Sequence, residues 1–148
     1  MSVSDARIQE LLDFEDIRRV KADYCHWSDR GYPGAGDNPA EVAALFAADG
    51  WWGDTNGRDA IVSLFERFQR ELPFALHMAF NARITIAGDH AAGQWTGVIP
   101  ATNSAGEALS IAGRYDDEFT CAGGVWLIAR LRFTPAFHAP YAQGWARE

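Results

Sequence analysis

The chain has 148 residues, 48% of them hydrophobic and 22% charged, with a formal net charge of −7. That length is one average domain, and the composition suits a globular chain that buries its core without disulfide or metal staples. A single lysine, Lys21, accompanies twelve arginines without any basic cluster, which argues against nucleic-acid and anionic-membrane partners. No apolar run approaches the ~20 residues of a membrane span. The start, Met1-Ser2-Val3-Ser4-Asp5, lacks a signal-peptide pattern, so a cytoplasmic protein is expected, with Cys25 and Cys121 as free thiols. Aromatics reach 13%, which points to an apolar cavity or an oligomer interface.

Residues 5–31 read as one helix, because Phe14, Ile17, Val20, Tyr24 and Trp27 recur at steps of three or four. Gly31 and Pro33 stop it, and Gly31-Tyr32-Pro33-Gly34-Ala35-Gly36-Asp37 is a loop. Asp37 or Asn38 caps a second helix with Pro39 in its first turn. Val42, Leu45 and Phe46 form its apolar face, and Asp49-Gly50 ends it. Trp51-Trp52-Gly53 is a short strand. A third helix from Gly57-Arg58-Asp59 carries Ile61, Leu64, Phe65 and Phe68 and stops before Pro73.

The second half alternates instead. Residues 76–87 place Met78, Phe80, Ala82, Ile84 and Ile86 on one parity, then turn at Gly88-Asp89. Residues 91–101, 108–121 and 125–135 are three more strands, joined by turns at Ser104-Ala105-Gly106 and Ala122-Gly123-Gly124. Three helices followed by a meander of four long strands predict a single α+β domain, with helices on one side of a curved antiparallel sheet. Residues 136–148 lack a period but carry Phe137, Tyr141 and Trp145. They are expected to cover a cavity mouth or a partner subunit.

The chain has no phosphate-binding loop, no dinucleotide fingerprint, no nucleophile elbow and no zinc-type spacing. No metal or organic cofactor is therefore expected. His26 with Asp29 is too small a set to hold a metal, and His90 and His138 are expected at the surface. The remaining candidates are ionisable groups in apolar surroundings. Asp29, near the end of the first helix, is either a solvated helix end or a carboxylate placed against the helix dipole for a purpose. His77 is the one polar residue of Phe74-Ala75-Leu76-His77-Met78-Ala79-Phe80. If buried it needs a hydrogen-bond acceptor, either a backbone carbonyl or an aspartate that fixes its tautomer and makes it a base. Tyr24, on the apolar stripe, either packs or presents a phenol to a substrate oxygen. Trp52, Asn81 and Tyr115 are further candidates for a pocket lining.

The order of these pieces resembles the SnoaL-like branch of the nuclear-transport-factor-2-like superfamily. Within it, the chain is most similar to the group of scytalone dehydratase, bile-acid dehydratase and lindane dehydrochlorinase. The resemblance covers about residues 6–135. It rests on Tyr24-Cys25 with Asp29-Arg30-Gly31, on Leu45-Phe46-Ala47-Ala48-Asp49-Gly50, and on Gly57-Arg58-Asp59-Ala60-Ile61. It continues through His77, Gly88-Asp89-His90-Ala91, Gly113-Arg114-Tyr115-Asp116-Asp117-Glu118-Phe119 and Gly124-Val125-Trp126. It implies a cone-shaped α+β barrel whose curved sheet wraps an apolar pocket. It also implies that Asp29 and His77 form the group's Asp–His pair and that Tyr24 matches the tyrosine of the bile-acid dehydratase pattern. The group's basic residue on the last strand has no assigned match, because Arg130 and Arg132 share the parity of Trp126, opposite Leu131 and Phe133.

The resemblance implies a cofactor-free lyase acting on a hydrophobic cyclic substrate, with His77 as base, Asp29 as its orienter and Tyr24 as oxygen-facing donor. An isomerase of ketosteroid type or a polyketide cyclase would begin with the same proton abstraction. A non-catalytic alternative is a protein like the small subunit of a ring-hydroxylating dioxygenase, or a plain ligand binder. A homo-oligomer, dimer or trimer, is expected in each case.

Overall fold

The computed structural model describes residues 2–146. Helix α1 (Val3–Ser28) opens on a capping box in which Ser2 and Asp5 satisfy each other's backbone N–H groups. Its first three turns are exposed, while Ile17, Lys21, Tyr24 and Ser28 follow at steps of three and four and are buried. The helix ends three residues before Gly31 because Asp29 turns to an extended backbone (φ −68°, ψ 145°).

Helix α2 (Pro39–Ala44) is capped by the Asn38 side chain, which accepts from the Glu41 N–H. It is shorter than its periodicity predicted. From Phe46 the chain is strand β1 (Phe46–Trp52), drawn into parallel pairing with the last strand, where the Ile128 N–H donates to the Leu45 carbonyl at 2.8 Å. Tertiary pairing here overrides the local helical pattern. After β2 (Thr55–Asn56), helix α3 (Arg58–Glu71) buries Ile61, Leu64 and Phe65 as expected.

Strands β3 (Phe74–Ala75), β4 (Met78–Ala87), β5 (His90–Thr102), β6 (Ala108–Ala122) and β7 (Val125–Pro140) complete the chain. One mixed sheet runs β2-β1-β7-β6-β5-β3, with β4 also pairing β5. Only β1 with β7 is parallel, and the helices pack on the strongly curved sheet to form a half-barrel. Bulges in β4 and between β6 and β7, together with glycines, bend it. Gly97 pairs with Gly113, and a Cβ on Gly97 would meet Tyr115 Cε2 at 2.6 Å. The missing side chain is what lets the Tyr115 ring fold across the sheet.

Three strand expectations need correction. The strand predicted for residues 76–87 is broken at Leu76-His77, because the His77 N–H leaves the ladder and donates to a side-chain carboxylate. Phe80 is exposed although it shares the parity of Ile84 and Ile86, which pack on the core. The bulge between Phe80 and Arg83, with Asn81 at φ +59°, switches the inward face. Finally, β7 continues past Pro135 to Pro140, paired with the start of β6, so residues 136–140 of the expected tail are strand. A register shift opposite Ala112 and Gly113 accommodates the missing proline N–H. Residues 141–146 follow as turn and irregular chain, with Tyr141 and Trp145 exposed; residues 147–148 of that tail lie outside the described part.

Lys21 lies on the apolar stripe of α1, and its Nζ sits 2.7 Å from Asp117 Oδ2 on β6, both side chains being sealed from water. Nζ also lies 3.4 Å from the centroid of the Tyr115 ring, a desolvated cation–π contact. Burial pushes the Lys21 ammonium pKa down and the Asp117 carboxyl up to about 6, and each partner's charge opposes the other's shift. Such a pair adds little over apolar residues of the same shape, but losing one partner strands a charge. Asp117→Leu should therefore destabilise the fold by about 3–5 kcal/mol. Lys21→Met combined with Asp117→Leu should restore most of that loss, read by urea unfolding of the four species of the cycle.

Candidate functional site

Asp29 caps the end of α1, and its carboxylate reaches both the loop that follows and the sheet. Oδ1 accepts the His77 backbone N–H at 2.6 Å and lies 3.0 Å from His77 Nδ1, while Oδ2 accepts the Tyr32 hydroxyl at 2.5 Å. Burial acts to raise the Asp29 pKa, but the bonds from His77 and Tyr32 outweigh it and hold the carboxyl below its usual value. The group is therefore an anion at neutral pH and can only accept. Nδ1 of His77 must then carry the ring proton, which leaves Nε2 with the lone pair.

Burial pulls the His77 pKa below its usual value, more than the Asp29 charge and hydrogen bond raise it; Arg30 and Lys21 pull the same way. The ring is thus neutral near pH 7. It lines an inner cavity of about 270 Å³, near the lower end of small-molecule sites. Tyr24, Trp52 and Tyr115 lie on the same wall, with Phe65, Ile99 and Ile111 supplying apolar surface. The Trp52 indole N–H donates to the Tyr24 hydroxyl at 2.8 Å. That bond occupies an acceptor position of the phenol, whose hydroxyl also lies beside Ser28 and Tyr115. Burial pushes the Tyr24 pKa well above that of a free phenol, so the proton stays on.

Asn81 is not brought to this cavity. At the β4 bulge it lines a separate outer groove of about 500 Å³ between α1 and β4, with Cys25, His26, Asp29 and again His77. Arg130 and Arg132 are absent from the cavity lining too. The chain around Ala129 breaks the alternation, so Ile128 and Leu131 are both buried. Arg130 stacks over Trp51, and Arg132 is exposed. Among the described residues no group of three or more His, Cys, Asp or Glu side chains is placed to hold a metal ion.

Four residues of the site were given no role there from the sequence. Tyr32 stands three positions after Asp29, the spacing that lets it fold back on the carboxylate. Arg30 lines the inner cavity, and so does His138, which lies on the extension of β7 and is exposed as expected. Lys21 carried a usable signal, a lone lysine between Ile17 and Tyr24 on an otherwise apolar stripe.

Helices packed on a strongly curved mixed sheet that forms a half-barrel are the architecture of the nuclear-transport-factor-2-like class. Within that class the chain belongs to the SnoaL-like family, whose sequence pattern matches residues 9–132. A proposed scytalone dehydratase from Novosphingobium aromaticivorans is similar in fold, with TM-score 0.79, 20% identity and 91% of each chain covered. A hexachlorocyclohexane dehydrochlorinase from Novosphingobium barchaimii gives 0.80 at 18% identity, over 92% of this chain and 94% of that one. A proposed aromatic ring hydroxylase from Novosphingobium aromaticivorans gives 0.78 at 18%, over 90% and 96%. No curated protein matches the sequence.

The competition at His77 sets a testable sign. Burial outweighs the aspartate, so the ring should titrate below the usual value of about 6.5 and exist as the Nδ1–H tautomer above it. The unfolded chain then takes up the proton first, so this group's contribution to stability is lost as pH falls below about 6.5. Ring-nitrogen NMR shifts across a pH series read both; a midpoint above that value would mean that the Asp29 charge prevails.

Proposed function

We propose that the protein is a cofactor-free lyase of dehydratase type. It removes a proton from carbon next to an activating group of a hydrophobic cyclic substrate and expels a leaving group from the neighbouring carbon. The observation that carries this reading is the 3.0 Å contact of Asp29 Oδ1 with Nδ1 of a histidine lining an apolar cavity. Nε2 of His77 takes the proton, and the Asp29 anion stabilises the imidazolium that results. The Tyr24 hydroxyl, its oxygen already bonded by Trp52, donates to the substrate oxygen on which enolate charge gathers. The apolar walls keep bulk water from competing for that bond. The folds similar to a dehydrochlorinase and to a proposed dehydratase support eliminations, while an isomerase or cyclase would share only the first step.

A panel of cyclic β-hydroxy ketones, followed by the absorbance of the enone formed, tests the reaction. His77→Ala should lower turnover about 10²–10⁴-fold, the usual worth of a positioned base. Asp29→Asn should lower it as well, because an amide does not stabilise the imidazolium. Chelator treatment should change nothing, and the rate should rise with pH through the depressed His77 pKa and level off by neutrality. Wild-type turnover in His77→Ala would refute the mechanism. The chain is further read as a homo-oligomer, since Val3, Ile8, Leu11 and Leu12 lie exposed along the first turns of α1. A monomer mass by light scattering at micromolar concentration would refute that.

A further inference from the structure

Arg30 is the charged group of the inner cavity that the proposed chemistry leaves unused. It is 3% exposed, lies directly after Asp29, and lines the cavity with Tyr24, Trp52, His77 and His138. Nη1 donates to the carbonyls of Phe68 and Leu72, each at 3.2 Å, and Nη2 to that of Ser28 at 2.8 Å. Nε is buried with no hydrogen-bond partner. The carbonyls at the ends of α1 and α3 solvate part of the charge, but they are dipoles and carry no full counter-charge.

A guanidinium stays protonated in a protein, and a buried charge ordinarily sits beside an opposite one. Here the nearest carboxylates, Asp37 and Asp29, act on the guanidinium only from a distance. Among the described residues no carboxylate lies within 4.0 Å of Arg30. The neighbouring Asp29 has Oδ1 on His77 and Oδ2 on Tyr32. No acidic side chain lines the inner cavity, although the chain as a whole carries a net charge of −7. The polar groups that line the cavity (guanidinium, indole, phenols, imidazoles) are mainly donors, and the one full charge among them is positive.

We infer that the ligand of this cavity is a carboxylate: an apolar molecule of one or two rings whose anionic group sits beside Arg30 and supplies a counter-charge in contact with it. The small volume sets the ring count, and the apolar walls receive the rings. The inference rests on the inner cavity being the substrate site proposed above, and names the chemical class of that substrate.

The test uses the whole chain at about pH 8, where His77 is neutral. Benzoate, cinnamate, 1-naphthoate and 2-naphthoate are each titrated against the matching neutral amide, read by tryptophan fluorescence and by thermal midpoint. At least one carboxylate should bind about tenfold or more tightly than its amide, because a charge-assisted bond replaces a neutral one. Arg30 also ties α1 to α3, so the wild-type ratio decides whether or not Arg30→Gln folds. Arg30→Lys, which keeps the charge, should retain a preference for the acid. If no acid in the panel outbinds its amide, the inference is overturned. That failure with His77-dependent turnover intact would sink the carboxylate and keep the lyase; carboxylate preference with wild-type turnover in His77→Ala would do the reverse.

Discussion

The joint between the end of α1 and the start of the sheet is the constraint on which the rest depends. Arg30 and Ala75 exchange backbone hydrogen bonds at 3.0 and 3.1 Å, and Asp29 seizes the next free amide, that of His77. Gly31, at φ +83°, allows the chain to turn there, since a side chain would strike the Pro73 carbonyl and Phe74. Once the helix end is pinned, the stripe above it is pinned as well. Tyr24 then meets Phe65, His77 and Tyr115 edge-on, and Lys21 reaches Asp117 across the sheet. The residues that orient the histidine are thus the same ones that dock the helix, and the site's geometry is a by-product of how the domain closes.

Much of this was legible in the sequence, for a physical reason in each case. Periodicity carries the helices and the meander because burial on one face repeats at 3.6 or at 2 residues. It located Ile17, Tyr24, Ile61 and Phe65 in the core, and an isolated histidine in an apolar strand marked His77. Periodicity fails wherever one residue is inserted. The bulge at Asn81 moved that side chain to the outer groove, and the break near Ala129 buried Ile128 and Leu131 alike. It also fails where a distant strand claims a segment, as β7 claims Phe46 from the second helix. Arg30 and His138 follow no period at all; only the closed fold shows which charges share a cavity.

His77 lines both the inner cavity and the outer groove, so one residue is shared by the two spaces. Its partner Asp29 lines the groove and not the cavity. The carboxylate therefore governs the tautomer without lying among the residues that line the inner cavity. Tyr32 covers its second oxygen. Burial of the ring and the hydrogen bonds on the carboxylate thus separate the two ionisations: one member stays neutral and the other stays charged across the neutral range.

The cavity wall is also the hydrophobic core. Tyr24, Phe65, Ile99, Ile111 and Tyr115 belong to both, whereas Phe68, Leu72, Phe133, Pro135 and His138 form the less buried part of the lining. These two zones have unequal evolutionary freedom. Truncating a deep residue opens a void costing about 2–5 kcal/mol, a large share of the ~5–15 kcal/mol that holds a domain together. Reshaping the outer zone exposes surface that is already half wet and leaves the core packed. A lineage that changes its ligand is therefore steered toward the last turns of α3 and the far half of β7, while the deep wall is inherited nearly unaltered.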